Sequence, residues 1–448
     1  VVILEMNWSA EQILALAPDP GSAKAGKDLA SLRKWSALGR DDRSAWGECQ
    51  GSGSKPYQTR IDLSEPAFNC TCPSRKFPCK HSLALFLLLA QQTTAFGDGP
   101  PPAWVVEWLA TRDKKAAKKA QNVEEPPGEL NPEPLRKSLE RQQKSANERK
   151  AKVDAGLEDL DRWLGDLARR GLASARSEPY SFWEWPAARM VDAQAPGVAR
   201  LLRELAGVAA SGEGWQGRLI EKLGRLHLLI EGYHRLKTLT PEVQADIRGA
   251  IGWTVPQEEV LNGPTIRDRW DVLGQKIEEE DRIKAQRRWL RGESTGRFAL
   301  VLHFAHASQP LDTSLVPGTV IDAELAFFPA AFPLRALVKN RFETTSEFRE
   351  IPGSVLEVFE GHAASLAKTP WIERIPVVLG EAVPIVQDGA WLVRDSTGAS
   401  LPLSPKYARG WTLAALSGGR PIGLFGEWDG DSLTPFSTWI GDRFLPMA

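Results

Sequence analysis

The pattern of apolar and polar positions divides this chain into stretches of different period. Ser9-Ala10-Glu11-Gln12 reads as a capping box ahead of Ile13, Leu14 and Leu16, which predicts a short helix. After Pro20 a second helix is expected from about Ser22 to Lys34. Two strands follow, near Ala45–Gln50 and Tyr57–Leu63, with Gly51-Ser52-Gly53-Ser54 as the turn between them. That turn lacks the Gly-x4-Gly-Lys-Ser/Thr spacing of a phosphate loop. From Leu83 to Ala90 the chain is apolar on every side, so a helix there must be buried all round, packed against the helices of residues 9–34. Gly97–Pro102 breaks it, and Trp104–Leu109 predicts one more short helix.

Between 111 and 152 apolar residues almost vanish. Lys114-Lys115, Lys118-Lys119 and a Pro/Glu-rich piece predict a linker, flexible or partly helical, with a basic helix at Leu135–Lys152. From 153 to 265 apolar residues recur at helical spacing, in stripes such as Leu157, Leu160, Trp163, Leu164, Leu167 and Leu219, Leu223, Leu226, Ile230. A bundle of four to six helices is expected there. From 266 to 448 the period moves toward two. Phe298–Phe304, Val320–Phe328, Val377–Val386 and Trp391–Asp395 read as strands, and Val355–Lys368 as a helix. Trp411–Ser417, Ile422–Glu427 and Phe436–Ile440 read as a closing meander. The expected fold class is therefore α+β and multidomain. An N-terminal module spans 1–110, a linker 111–152, a helical domain 153–265 and a β-rich α+β domain 266–448. No internal repeat at a fixed period is visible.

Length and charge refine this picture only modestly. A chain of 448 residues can bury two to four separate cores. Net charge is −1, with +4 in residues 1–150 and −5 in the rest, too small an asymmetry to mark a nucleic-acid surface. No apolar run approaches the roughly 20 residues needed to span a bilayer, and Val1-Val2-Ile3-Leu4-Glu5 does not resemble a signal peptide. The start lacks Met, as in a fragment, a processed form or an alternative start codon. Four cysteines give no disulfide framework, which points to a reducing compartment and a soluble, cytoplasmic protein without a membrane partner.

The cysteines carry the chemistry. Cys70-Thr71-Cys72-Pro73-Ser74-Arg75-Lys76-Phe77-Pro78-Cys79-Lys80-His81 places three of the four, and one of six histidines, in a single short stretch. Three thiolates and one imidazole complete a tetrahedral zinc site with no position left open, which makes the metal structural. On an extended strand Cys70 and Cys72 face the same way. Cys79 and His81 fall where a helix begins, before regular winding sets in, and its positive dipole end favours a thiolate at Cys79. Cys49, on the first predicted strand, is either a buried thiol near the metal or an extra ligand.

The Cys-x-Cys-x6-Cys-x-His pattern resembles the SWIM zinc finger. With Trp46–Tyr57 and Ile61–Phe68 before it, the stretch to about residue 92 resembles the bacterial SWIM zinc finger proteins in particular. That resemblance implies a ββα module (a β-hairpin followed by a helix), one Zn2+, and binding of protein or nucleic acid. Bacterial relatives are often encoded beside AAA+ ATPases and von Willebrand A-type proteins, which implies a partner in such an assembly.

Other constellations are weaker. His227, Glu231 and His234 share a helix face, with a Glu-x-x-His spacing, but the second Glu-x-x-His of a di-iron bundle is missing. His303 and His306 would point to opposite faces of a strand. Asp429-Gly430-Asp431 opens like a calcium loop but lacks its closing glutamate. The expectation is a non-catalytic, zinc-dependent binding or scaffold protein with a protein partner, not an enzyme. The alternatives are DNA binding through Arg75–Lys80 and Lys114–Lys119, and an unspecified enzyme in the body.

Overall fold

The structure, a computed structural model, describes residues 8–51, 55–64, 66–124, 132–172, 175–280, 283–306, 309, 311–345, 348–441 and 443–447. The capping box forms at the start of α1 (Ala10–Ala15): the Ser9 hydroxyl accepts from the Gln12 amide, and the Gln12 side chain accepts from the Ser9 amide. Asp19 caps α2 (Pro20–Leu29), whose first residue is a proline. This helix ends sooner than expected. Trp35 donates its indole N–H back to the Leu29 carbonyl, and a strand, β1 (Trp35–Arg40), begins instead.

The predicted strands appear as β2 (Ser44–Cys49) and β3 (Tyr57–Asp62), paired antiparallel from Cys49↔Tyr57 to Ser44↔Asp62. Residues 52–54 of the predicted turn lie outside the described residues. Then come β4 (Ala67–Cys70), α3 (Lys80–Gln91), β5 (Gly97–Asp98) and α4 (Ala103–Glu124). The predicted hairpin is thus the centre of a five-stranded sheet ordered β4-β3-β2-β1-β5. Helix α3 buries every residue from His81 to Leu89, and its Leu83–Leu89 stretch shares one core with Ile13, Trp35, Ile61 and Phe68. Gly26 of α2 lets the two helices close up, since a Cβ there would come within 3.0 Å of the Leu83 Cβ. Val105 and Leu109 of α4 pack on Trp46. Helix α4 runs well past Leu109 because its Ala- and Lys-rich second half favours helix without an apolar face.

The middle of the chain is helical, as expected. It comprises α5 (Pro132–Arg170), α6 (Tyr180–Asp192), α7 (Pro196–Ala209), α8 (Trp215–His234), α9 (Pro241–Ile251) and α10 (Gln257–Leu261). Leu157, Leu160, Leu164 and Leu167 meet Leu202, Leu205, Leu219, Leu226 and Ile230 in one core. The range 111–152 therefore carries the end of α4 and the start of α5, with residues 125–131 outside the described residues.

The last third is β-rich. Strands β6 (Thr265–Glu280), β7 (Ile283–Gly292), β8 (Phe298–His306), β9 (Val320–Phe327) and β10 (Arg335–Thr345) close into a barrel ordered β10-β8-β7-β6-β9. Its interior holds Trp270, Val272, Leu290, Ala299, Ile321 and Leu325. Then come α11 (Val355–Lys368), β11 (Ile375–Gln387), β12 (Ala390–Asp395), β13 (Ser400–Pro402), α12 (Gly410–Ser417), β14 (Ile422–Trp428), β15 (Leu433–Ile440) and β16 (Arg443–Pro446). The strands form a six-stranded sheet ordered β13-β12-β11-β14-β15-β16. The expected meander is corrected in one place: Trp411–Ser417 is helical. Gly418, with φ 56°, supplies the left-handed residue that ends that helix.

The N-terminal module sits against the barrel. Val316, in the connection from β8 to β9, belongs to the core around α3. Gln12 donates to the Pro317 carbonyl, Gln275 of β6 to the Ala15 carbonyl, and Thr313 to the Pro66 carbonyl. Arg443 of β16 pairs with Glu11 at 2.9 Å. Deeper in, the barrel and the six-stranded sheet share Leu273, Trp289, Phe425, Phe436 and Trp439.

Candidate metal centre

The four residues singled out by spacing converge. Cys70 ends β4, Cys79 is the N-cap of α3, and His81 lies in that helix's first turn. Cys72 follows β4, where the ladder runs on by one residue: the Thr71 amide donates to the Gln58 carbonyl, and its hydroxyl accepts from the Gln58 amide. Extension is therefore maintained where two cysteines must face one point. At the helix, Cys79 has extended backbone angles (φ −77°, ψ 165°), so the helical rule that separates residues two apart does not yet apply.

All four donor atoms lie within 4.8 Å of one another. The Cys70 and Cys79 sulfurs stand 3.8 and 4.0 Å from His81 Nδ1. A tetrahedral zinc with bonds of about 2.3 Å to sulfur and 2.0–2.1 Å to nitrogen needs donor separations of about 3.5–3.8 Å. The donor set and its spacing therefore fit zinc with little movement. Cys79 and His81 are buried, while Cys70 and Cys72 are half-buried.

The sulfurs have company beyond one another. The Thr59 hydroxyl donates to Cys70 Sγ at 3.3 Å, and the Ser82 hydroxyl lies 3.4 Å from Cys79 Sγ. The Tyr57 ring covers the His81 imidazole, with centroids 4.9 Å apart. Without metal the cluster shares protons unevenly. Hydrogen bonds from Cys70 and Cys72 hold the Cys79 thiol far below its ordinary range. Hydrogen bonds to Cys72 and Cys79, with burial, push Cys70 up. Burial alone would lower His81, but its hydrogen bonds to Cys72 and Cys79 and their charges push it up to about 9. A metal arriving here displaces these protons, because only thiolates and neutral imidazole ligate. Arg75, Lys76 and Lys80 are exposed around the site, and Lys76 pairs with Asp19.

Cys49 stands outside the converging set. It is fully buried, its thiol points toward the Gln50 carbonyl at 3.8 Å, and burial pushes its pKa up. The remaining candidates do not assemble. His227 faces Asp161 at 3.4 Å, while Glu231 pairs with Arg235 and reaches His234 only at 4.0 Å. His303 and His306 lie opposite Gln286 and Ile283 on β7. Asp429 accepts from the amides of Asp431 and Ser432, an ordinary turn around Gly430. Among the described residues, Cys70, Cys72, Cys79 and His81 are the one such group that converges.

The contacts of Thr59 and Ser82 were not foreseen from the sequence. Thr59 is brought to Cys70 by the register of β3 against β4, a pairing that the expected two-stranded hairpin omitted. Ser82 follows Cys79 at the helical offset of three, a signal that was there to read.

Among the described residues, no helix is long and apolar enough to cross a membrane. Comparison with curated proteins and with solved structures gave no match. Two family models do match. One, a SWIM zinc finger, covers residues 60–90, from β3 to α3, and includes all four converging side chains. The other, a SWIM-associated four-helix bundle domain, covers residues 148–251, from within α5 to the end of α9. The cysteines and histidine gathered at the start of α3 are thus those of a SWIM zinc finger, and the chain carries behind it the helical bundle that accompanies such fingers.

Proposed function

We propose that this chain is a non-catalytic scaffold whose SWIM finger holds one structural zinc ion and presents a surface to a protein partner. The observation that supports this is the closure of the site. Four protein donors converge on one point, and a tetrahedral metal so bound keeps no position for water or substrate. Cys70 and Cys72 tie the end of β4, and Cys79 and His81 tie the start of α3, so the metal joins strand to helix. The near-neutral charge of the whole chain fits a protein partner better than a polyanion. Elemental analysis of purified protein is expected to give one zinc per chain. Affinity capture is expected to yield a partner that binds purified wild type and is lost with Cys79→Ser. Absence of zinc, or iron in its place, overturns the metal assignment; a partner retained in full by Cys79→Ser overturns the role given to the finger.

The exposed Arg75, Lys76 and Lys80 beside the site support a second reading, DNA binding. Phosphate contacts release counterions, so such binding falls steeply with salt. Tight binding near physiological salt, with a slope flattened by neutralising those three residues, would establish it over the protein partner.

A further inference from the structure

We infer that Thr59 and Ser82 are positioning residues of the metal centre: their hydroxyls donate to the Cys70 and Cys79 thiolates and set how tightly the finger holds its metal. This rests on the zinc reading above and concerns residues outside the ligand pattern. Three thiolates, one neutral imidazole and Zn2+ carry a net charge of −1, and that charge sits where Cys79 and His81 are each only 5% exposed. Excess negative charge in such a place is costly unless donors reach it. Arg75, Lys76 and Lys80 are exposed and therefore screened. The two hydroxyls are not screened. Thr59 is 0% and Ser82 1% exposed, and the hydrogen-bond partners the structure gives them are sulfurs, at 3.3 and 3.4 Å.

Their placement divides the work. Thr59 sits on β3 directly opposite Cys70, so the sheet register itself aims its hydroxyl at the strand-side sulfur. Ser82 sits one helical turn after Cys79, so the winding of α3 aims its hydroxyl at the helix-side sulfur. Each half of the site thus has one buried donor, from the neighbouring strand for Cys70 and from the same helix for Cys79. A donor on a thiolate stabilises the anion against reprotonation and holds its lone pairs in a fixed direction, which outweighs the small loss of electron density on sulfur. Partners of this kind commonly contribute about 10- to 100-fold in metal affinity.

The test uses the full chain, titrated with Zn2+ against a competing chelator and with Co2+ read by absorption. Variants are Thr59→Val, which keeps the shape and removes the hydroxyl, Thr59→Ser, which keeps the hydroxyl, and Ser82→Ala. Thr59→Val and Ser82→Ala are each expected to weaken zinc by about 10-fold or more. Each should move the thiolate-to-cobalt charge-transfer band to lower energy, because an undonated sulfur gives up its electron more readily. Thr59→Ser should match wild type on both readouts. A role in packing alone would lower folding stability and leave the band in place. Unshifted bands with wild-type zinc affinity in Thr59→Val and Ser82→Ala overturn the inference while leaving the finger's zinc intact. Failure of wild type to take up either metal overturns the zinc reading and this inference together. Should Thr59→Val not fold, Ser82→Ala, on the other element, still decides the matter.

Discussion

Cys49 and Cys79 are both buried, and what separates them is their neighbours. Cys79 has two other sulfurs and an imidazole around it, while Cys49 has a backbone carbonyl. Cys49→Ser is therefore expected to leave metal content unchanged and Cys79→Ser to abolish it, as elemental analysis will show. A second pair of residues shows what spacing cannot reveal. Arg288 of β7 is buried, and its guanidinium meets Gln275 and Asp312, the latter about one-third exposed. Arg288→Met should cost about 1–2 kcal/mol in denaturant unfolding, since Asp312 loses its cationic partner but keeps the Ser314 hydrogen bonds and part of its hydration. Burial would raise the Asp312 pKa, but the Arg288 charge and the Ser314 hydrogen bonds bring it down to about 2. A depressed carboxylate stabilises the fold above its ordinary value and loses that contribution as pH falls toward the folded value. The stability gap between wild type and Asp312→Asn should thus shrink between about pH 4 and pH 2. The four ligands were legible because their spacing is itself the chemistry. Arg288 was not, because Asp312 reaches it from a distant loop, and a charged residue in a strand reads as exposed.

At the scale of elements, self-contained signals were the readable ones. Helix α11 carries its own capping box, Ser354 with Glu357, and begins at the residue that the sequence indicates. Ser354→Ala should therefore cost about 1 kcal/mol, read as a shift in the denaturant midpoint. Helix α3 was legible for the opposite reason: a helix apolar all round has nowhere to go but inside. Leu85→Ala, at a fully buried position, should cost about 3 kcal/mol and leave a cavity in the core around α3. Strands β6 and β7 were hidden. Thr265–Glu280 and Ile283–Gly292 are crowded with charged and polar residues, yet Asp268, Asp271, Gln275, Gln286 and Arg288 are all buried, by packing that only the closed fold provides. Helix α12 reads as a strand in the sequence because its apolar run is too short for periodicity to separate strand from helix.

At the scale of the molecule, the finger is joined to the barrel by a seam that local patterns cannot show. Gln12, Thr313 and Gln275 each donate across it to a main-chain carbonyl, and Val316 completes the core beneath α3. Removing the metal should therefore reach further than residues 1–110. Hydrogen exchange on the full chain is expected to rise in α1, α3 and the 311–319 connection when a chelator strips the zinc. It should rise less in the bundle core of α5–α9, which has its own apolar interior. Protection in 311–319 that ignores the metal would show that the seam does not transmit its loss. The seam also has a meaning in time. A ribosome delivers Cys70, Cys72, Cys79 and His81 early, but the wall that closes their core, Val316, and the arginine that pairs with Glu11, Arg443, come only after the whole bundle has been made. Until then the patch on the nascent finger that Val316 covers stays open to whatever chaperone or neighbouring chain is present.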